Sequence, residues 1–259
     1  MTGTGAHELI DAGGGRRLER FGELVLDRPA PMVEEAPRDP AAWSSADLRF
    51  ELRPTDTGQV GLFPEQAANR AWVRAAIADA VRIGGAEAPP AVLNLFAYTG
   101  AMSLAAAAAG ATVAHVDGSR PAVAWARRNA ELSGLADRPI RWLVDDAETF
   151  VGREIRRGRR YDAVILDPPS YGHGARGATW RLEDRLDGLL DRCAELSADD
   201  PAFALLTAHT PGFGPDRLAE ALAAAFGRRV SEVEAGELGL RARSGAQMRL
   251  GAWARIIRE

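Results

Sequence analysis

From Ala91 onward the chain alternates short apolar runs with helical patterns: AVLNLF, TVAHVD, IRWLV, YDAVILD and FALLTAHT, each followed by an amphipathic or alanine-rich stretch. These runs are apolar at nearly every position, as strands buried on both faces must be. Parallel neighbours cannot be joined by a tight turn, so the helices between them serve as crossovers. The series predicts an α/β fold: a Rossmann-like, seven-stranded, mostly parallel sheet with helices on both faces. RRVSEVEAGE and QMRLGAWARII would supply the last two strands at one edge. Upstream, Ala67, Trp72, Val73, Ala76, Ile77, Ala80 and Val81 recur at helical spacing between Pro64 and Ile83, and GGAEAPP ends that helix. Residues 1–58 hold β-favouring runs, Arg20 to Leu26 and Leu48 to Leu52, broken by Pro29, Pro31, Pro37, Pro40 and Pro54. They predict a small β-rich N-terminal extension to a main domain at 59–259.

At 259 residues, with 46% hydrophobic and 26% charged residues, the chain is a globular protein with a full core. All 32 basic residues are Arg, against 36 acids, a net charge of -4 that excludes a globally basic nucleic-acid coat but not a local basic face. One Cys excludes an internal disulfide framework and a multi-Cys metal site, and the four His lack paired ligand spacing, so no metal is expected. No run reaches the roughly 20 apolar residues of a membrane span. With no export signal visible, the expected compartment is the cytoplasm.

In a doubly wound sheet, ligands bind beyond the carboxyl ends of the strands. The first run ends in Phe96-Ala97-Tyr98-Thr99-Gly100, where a single Gly opens a helix and would let a ligand approach the backbone; this is not GxGxxG. The second ends at Asp117, followed by Gly118 and Ser119; a carboxylate there either caps a helix or accepts the two hydroxyl protons of a ribose. The third ends in Asp145-Asp146-Ala147, of which one acid caps the next helix and the other is placed for an adenine amino group. The fourth ends in Asp167-Pro168-Pro169-Ser170-Tyr171, a stiff, donor-poor loop that fixes an aspartate and an aromatic.

Together these motifs resemble the class I S-adenosylmethionine-dependent methyltransferases. The resemblance narrows to the large-subunit (23S) ribosomal RNA methyltransferases, which share the DPP-x-aromatic loop and a Gly-x-Phe-x-x-Gln element, here Gly61 to Gln66 with Phe63 inside it. It covers about residues 59–226. It implies S-adenosylmethionine as cofactor, S-adenosylhomocysteine as product, and a cofactor site built from Phe63, Gln66, Phe96, Tyr98, Thr99, Gly100, Asp117, Gly118, Ser119, Asp145, Asp146, Ala147 and Asp167. Catalysis falls to Asp167, Pro168, Pro169 and Tyr171, the last stacking on a base turned out of its helix. The chain departs from that subgroup in lacking room for a PUA-type RNA-binding module.

Methylation at C5 of cytosine needs a thiolate nucleophile, yet the fifth run carries Thr207-Ala208-His209-Thr210 and the sole Cys193 sits on the apolar face of a helix. The expected reaction is direct transfer to a base nitrogen, with His173 and His209 as incidental residues or proton relays. Ribosomal RNA is the expected partner. Arg153, Arg156, Arg157, Arg159 and Arg160 are a candidate phosphate track or a solvated helix end, and Arg241, Arg243 and Arg249 are equally ambiguous. A small molecule or a protein as acceptor, or a non-catalytic nucleotide-binding protein, are the alternatives.

Overall fold

The computed structural model describes residues 2–3, 7–13, 16–22, 24–29, 34–35, 48–53, 55, 59–84, 89–173, 179–198, 201–227 and 232–257. The N-terminal part comprises β1 (Thr2–Gly3), β2 (His7–Gly13), β3 (Arg16–Phe21), β4 (Leu24–Pro29), β5 (Glu34–Glu35) and β6 (Phe50–Glu51). The run Arg20 to Leu26 is therefore not one strand: it breaks at Gly22, whose φ of 59° places it in the left-handed region that suits a tight turn between β3 and β4. Likewise only Phe50 and Glu51 of the run from Leu48 to Leu52 are paired, with β1. Strands β2, β3 and β4 form an antiparallel meander.

A 3-10 turn at Pro64–Gln66 leads into α1 (Ala67–Gly84). There follow β7 (Ala91–Leu95), α2 (Ala101–Ala108), β8 (Thr112–Asp117), α3 (Arg120–Leu132), β9 (Ile140–Val144), α4 (Ala147–Arg156) and β10 (Ala163–Leu166). A hairpin of β11 (Tyr171–His173) and β12 (Thr179–Arg181) precedes α5 (Leu182–Leu196), then β13 (Phe203–Ala208), α6 (Pro215–Phe226), β14 (Glu232–Arg241) and β15 (Ala246–Ile257). The β11–β12 hairpin interrupts the simple strand-helix alternation that periodicity suggested. Of the expected strand RRVSEVEAGE, residues 228–231 lie outside the described residues, and the strand runs on to Arg241.

The main sheet has the order β14-β15-β13-β10-β7-β8-β9, the seven strands expected, with the two-residue β5 added on β15. The five from β13 to β9 are parallel and β14 and β15 antiparallel. Chain direction across the sheet reverses between β7 and β10, which makes their carboxyl ends the switch point. One face buries Phe150, Leu186, Leu189, Leu190, Leu218 and Leu222 from α4, α5 and α6. On the other, Val73, Ile77, Ala106 and Ala107 from α1 and α2 pack on Val92, Ile165 and Leu205. The meander docks on the β14–β15 hairpin through Leu9, which packs with Leu240, Ala242, Ala246 and Met248. No helix among the described residues is long and apolar enough to cross a membrane.

Candidate active site

The carboxyl ends of β9, β8, β7, β10 and β13 open into one cleft of about 730 Å³. It gathers Phe63, Phe96, Tyr98, Asp117, Gly118, Ser119, Asp145, Asp146, Ala147, Asp167, Pro168 and Pro169, all named from the sequence. Read along the sheet edge, the acids stand in order: Asp145 and Asp146 beyond β9, Asp117 ending β8, Asp167 beyond β10. With neighbouring strands ~4.8 Å apart, three strand steps separate the first from the last, roughly 14 Å.

The β7 turn is made by three left-handed residues in five positions: Phe96 (φ 54°), Tyr98 (φ 47°) and Gly100 (φ 88°). Two are not Gly, and such backbone persists only where its surroundings enforce it. Here the Tyr98 N–H donates to Asp117 at 2.7 Å, the Ala97 N–H to the Val116 carbonyl, and the Thr99 hydroxyl to the Gly61 carbonyl at 2.6 Å. The second Asp117 oxygen accepts the Ser119 N–H at 2.8 Å. Burial lifts the Asp117 pKa above its usual range, while these two N–H groups oppose the shift.

Three expected cofactor contacts lie behind the cleft wall. Gly100 spares a clash with α3, since a Cβ there would stand 3.0 Å from the Ala126 Cβ. Thr99 is buried and ties the turn to Gly61. Gln66 accepts from Asn69 Nδ2 at 2.9 Å and borders a smaller cavity of about 50 Å³ that shares Phe63, Phe96, Tyr98 and Asp167 with the cleft. That smaller cavity also holds Arg70, 8% exposed, which donates to the Phe63 carbonyl at 2.9 Å and whose pKa burial pushes down to about 10. Arg70 went unnoticed in the sequence because it reads as one more polar helix position.

Of the paired acids, Asp146 is the helix cap, accepting the Thr149 N–H at 2.8 Å. Asp145 pairs with Arg153, which is thereby turned toward the cleft rim, away from a solvent-facing phosphate track. Arg157 pairs with Glu154 at 2.9 Å, while Arg156, Arg159 and Arg160 remain exposed.

The loop after β10 is pinned on several sides. Pro169 offers its carbonyl to Trp180 Nε1 at 2.8 Å, Ser170 hydrogen-bonds Thr210 at 2.7 Å, and the Leu182 N–H reaches the Ser170 carbonyl. Trp180, unremarked in the sequence, lines the cleft and stands 5.2 Å from the Phe96 ring. Tyr171 is 56% exposed on β11, outside the cleft wall. Asp167 accepts the Thr207 hydroxyl at 2.6 Å, and His209 Nε2 faces the same oxygen at 3.6 Å. His209 lines the cleft against the Phe63 ring at 5.8 Å. The side chain of His173 lies outside the described residues. Cys193 is buried in α5 with its thiol pushed up to about 12 by burial, the environment of an inert core residue. Among the described residues no cluster of His, Cys, Asp and Glu could hold a metal ion.

A family model described as S-adenosylmethionine-dependent methyltransferase matches residues 24–234. Over 126 residues the chain is 32% identical to ribosomal RNA large subunit methyltransferase K of Neisseria meningitidis serogroup B, covering 46% of this chain and 34% of that protein. Over 188 residues it is 30% identical to ribosomal RNA large subunit methyltransferase K/L of Alteromonas mediterranea, covering 71% of this chain and 24% of that one. The chain thus spans about a third or less of the length of these curated relatives. The solved structure of a SAM-dependent methyltransferase from Agrobacterium tumefaciens superposes with a TM-score of 0.85 at 32% identity, over 99% of this chain and 91% of that one. A methyltransferase solved with SAH shares the fold at a TM-score of 0.67 and 16% identity, over 94% and 72% of the two chains.

Proposed function

The chain belongs to the S-adenosylmethionine-dependent methyltransferase family, and on that premise we propose that its cleft transfers a methyl group to a base nitrogen of large-subunit ribosomal RNA. The observation that carries the site assignment is the row of acids along the strand ends, bordering one cleft of about 730 Å³.

The residues present fit the cofactor. Asp117 keeps a lone pair on each oxygen beyond the two N–H groups it accepts, enough for the two ribose hydroxyls. Val144 and Ala147 offer apolar faces to the adenine, with Asp145 or Asp146 for its amino group. The buried Arg70 faces the smaller cavity and suits the cofactor carboxylate. When bound, S-adenosylmethionine supplies a methyl group on a positively charged sulfur that is a good leaving group. Asp167 and the rigid Pro168-Pro169 loop orient the acceptor nitrogen at the cleft mouth, where the exposed Tyr171 is available to stack on a base. Phe63 and Trp180 exclude water around that point.

Support for ribosomal RNA comes from the two similar ribosomal RNA large subunit methyltransferases, each much longer than this chain. In the same reading, residues 1–58 are an extension docked on a 59–259 catalytic domain, working in the cytoplasm where ribosomal RNA is assembled. A small-molecule or protein acceptor is the second reading, favoured by the ion pairs that occupy Arg153 and Arg157.

Labelled S-adenosylmethionine incubated with total RNA from a strain lacking the gene tests the acceptor: label in large-subunit RNA is expected, and label in no RNA moves the assignment to the second reading. Calorimetry with S-adenosylhomocysteine tests the site on its own. Asp117→Ala should lose most of the affinity, and unchanged binding removes Asp117 from the ribose role.

A further inference from the structure

His209 sits where a proton is missing. Its Nδ1 lies 2.7 Å from the Leu250 carbonyl, an acceptor only, so Nδ1 carries the hydrogen and Nε2 of the neutral ring presents a lone pair. That lone pair points at Asp167 Oδ1 from 3.6 Å, and Nε2 has no hydrogen-bond partner among the described residues. Two acceptors facing each other repel, and a proton placed between them turns the repulsion into an ion pair. Glu65, 6% exposed in the 3-10 turn two residues beyond Phe63, has one carboxylate oxygen with no hydrogen-bond partner among the described residues, and burial raises its pKa while His209 opposes that shift. The charged groups bearing on this cluster are Asp167 from the end of β10, Glu65 from the 3-10 turn, Arg70 from α1, and Arg17 and Glu19 from β3. Burial opposes a charge on His209, but Asp167, Glu65 and the Leu250 carbonyl outweigh it and hold the imidazole pKa above its ordinary value.

We propose that His209 is the proton acceptor of the reaction, that Glu65 is its positioning residue, and that the acceptor atom is consequently a nitrogen that carries a hydrogen. This rests on the methyltransferase reading of the same cleft. In balance, the nitrogen lone pair forms the N–CH3 bond and the carbon–sulfur pair returns to sulfur. The proton then released from the nitrogen passes along Asp167 to Nε2, giving an imidazolium paired with the Asp167 carboxylate. The proton returns to water by way of Asp167, whose side chain is 28% exposed. An exocyclic amine requires such an acceptor; a ring nitrogen with a free lone pair does not.

Two measurements decide it. In the first, the His209 imidazole is followed by NMR across pH in the S-adenosylhomocysteine complex. The wild type should protonate at Nε2 with a midpoint above the ordinary value near 6.5, and Glu65→Gln should lower that midpoint. A ring that stays neutral down to pH 5.5, or a midpoint indifferent to Glu65→Gln, overturns the assignment whatever the acceptor proves to be. In the second, His209→Gln should retain S-adenosylhomocysteine affinity within about two-fold while kcat on total RNA falls about 100-fold and the acidic limb of its pH profile vanishes. A structural role would instead lower thermal stability and leave that limb in place. Either kcat within two-fold of the wild type or a labelled nucleoside methylated on a hydrogen-free ring nitrogen overturns the proposal. If the wild type labels no RNA, it is the RNA assignment that falls, and the NMR titration still decides His209.

Discussion

At the residue scale the site is held by contacts that a single atom would break. Gly61, with φ of 90°, lies against the Trp125 ring so closely that a Cβ would overlap it, and its carbonyl receives the Thr99 hydroxyl. Gly61→Ala adds both the steric conflict and a left-handed backbone that L side chains disfavour, so it should cost about 2–4 kcal/mol in denaturant unfolding. The displaced carbonyl should also loosen the β7 turn and weaken S-adenosylhomocysteine binding. Unfolding and affinity both equal to the wild type would show that the ring gives way freely. The acids of the site were legible in the sequence because each follows an apolar run directly. Arg70, Glu65 and Trp180 were not, because their importance lies in convergence across positions 65 to 209, which periodicity does not encode. Gly100 was legible as a necessary Gly, but its reason, Ala126, sits on another helix.

At the scale of elements, β7, β8 and β10 are legible as strands because nearly every side chain in them is buried. The β11–β12 hairpin was not: three-residue strands leave no pattern to count, and the segment between them lies outside the described residues. Burial on both faces also has a cost inside β8. His115 is fully buried, bonded through Nδ1 to Ser103 at 3.0 Å, and burial, helped by Arg127, drops its pKa to about 3. The unfolded chain protonates this imidazole near pH 6.5 while the folded one resists until about 3. Stability from His115 is therefore whole above pH 6.5 and declines as pH falls toward 3, by up to about 1.4 kcal/mol per pH unit. His115→Asn should start less stable at neutral pH but lose less on acidification through that window, measured by denaturant midpoints. An identical acid slope in both proteins places the acid sensitivity elsewhere, with Glu19 among its carboxylates the obvious second source, since His7, Arg28 and Arg17 hold it below its usual range despite burial.

For the whole molecule, the question is whether a protein of net charge -4 can hold a polyanion. Much of its arginine is already committed: Arg28 and Arg17 to Glu19, Arg153 to Asp145, Arg217 to Asp187, Arg255 to Glu234. Arg156, Arg159 and Arg160, exposed together at the C-terminal end of α4 and just after it, remain a dense local group. If they contact phosphate, RNA affinity should fall steeply with salt, and replacing all three with Gln should flatten the log–log slope by about 2 without altering S-adenosylhomocysteine affinity. A slope unchanged by the triple substitution places the RNA face elsewhere.

The pairing of β5 with β15 joins Glu35 to Ala246, and the meander leans on β14 and β15 through Leu9. On the ribosome this becomes a matter of timing. The β7–β10 centre, which lies within residues 91–166, can form while the chain is still being made, whereas the β2–β4 meander cannot dock until β14 and β15 emerge. The buried charges of β3 bear on Glu65, so the cleft acquires its final electrostatic setting only once β14 and β15 have been made and the meander has docked on them.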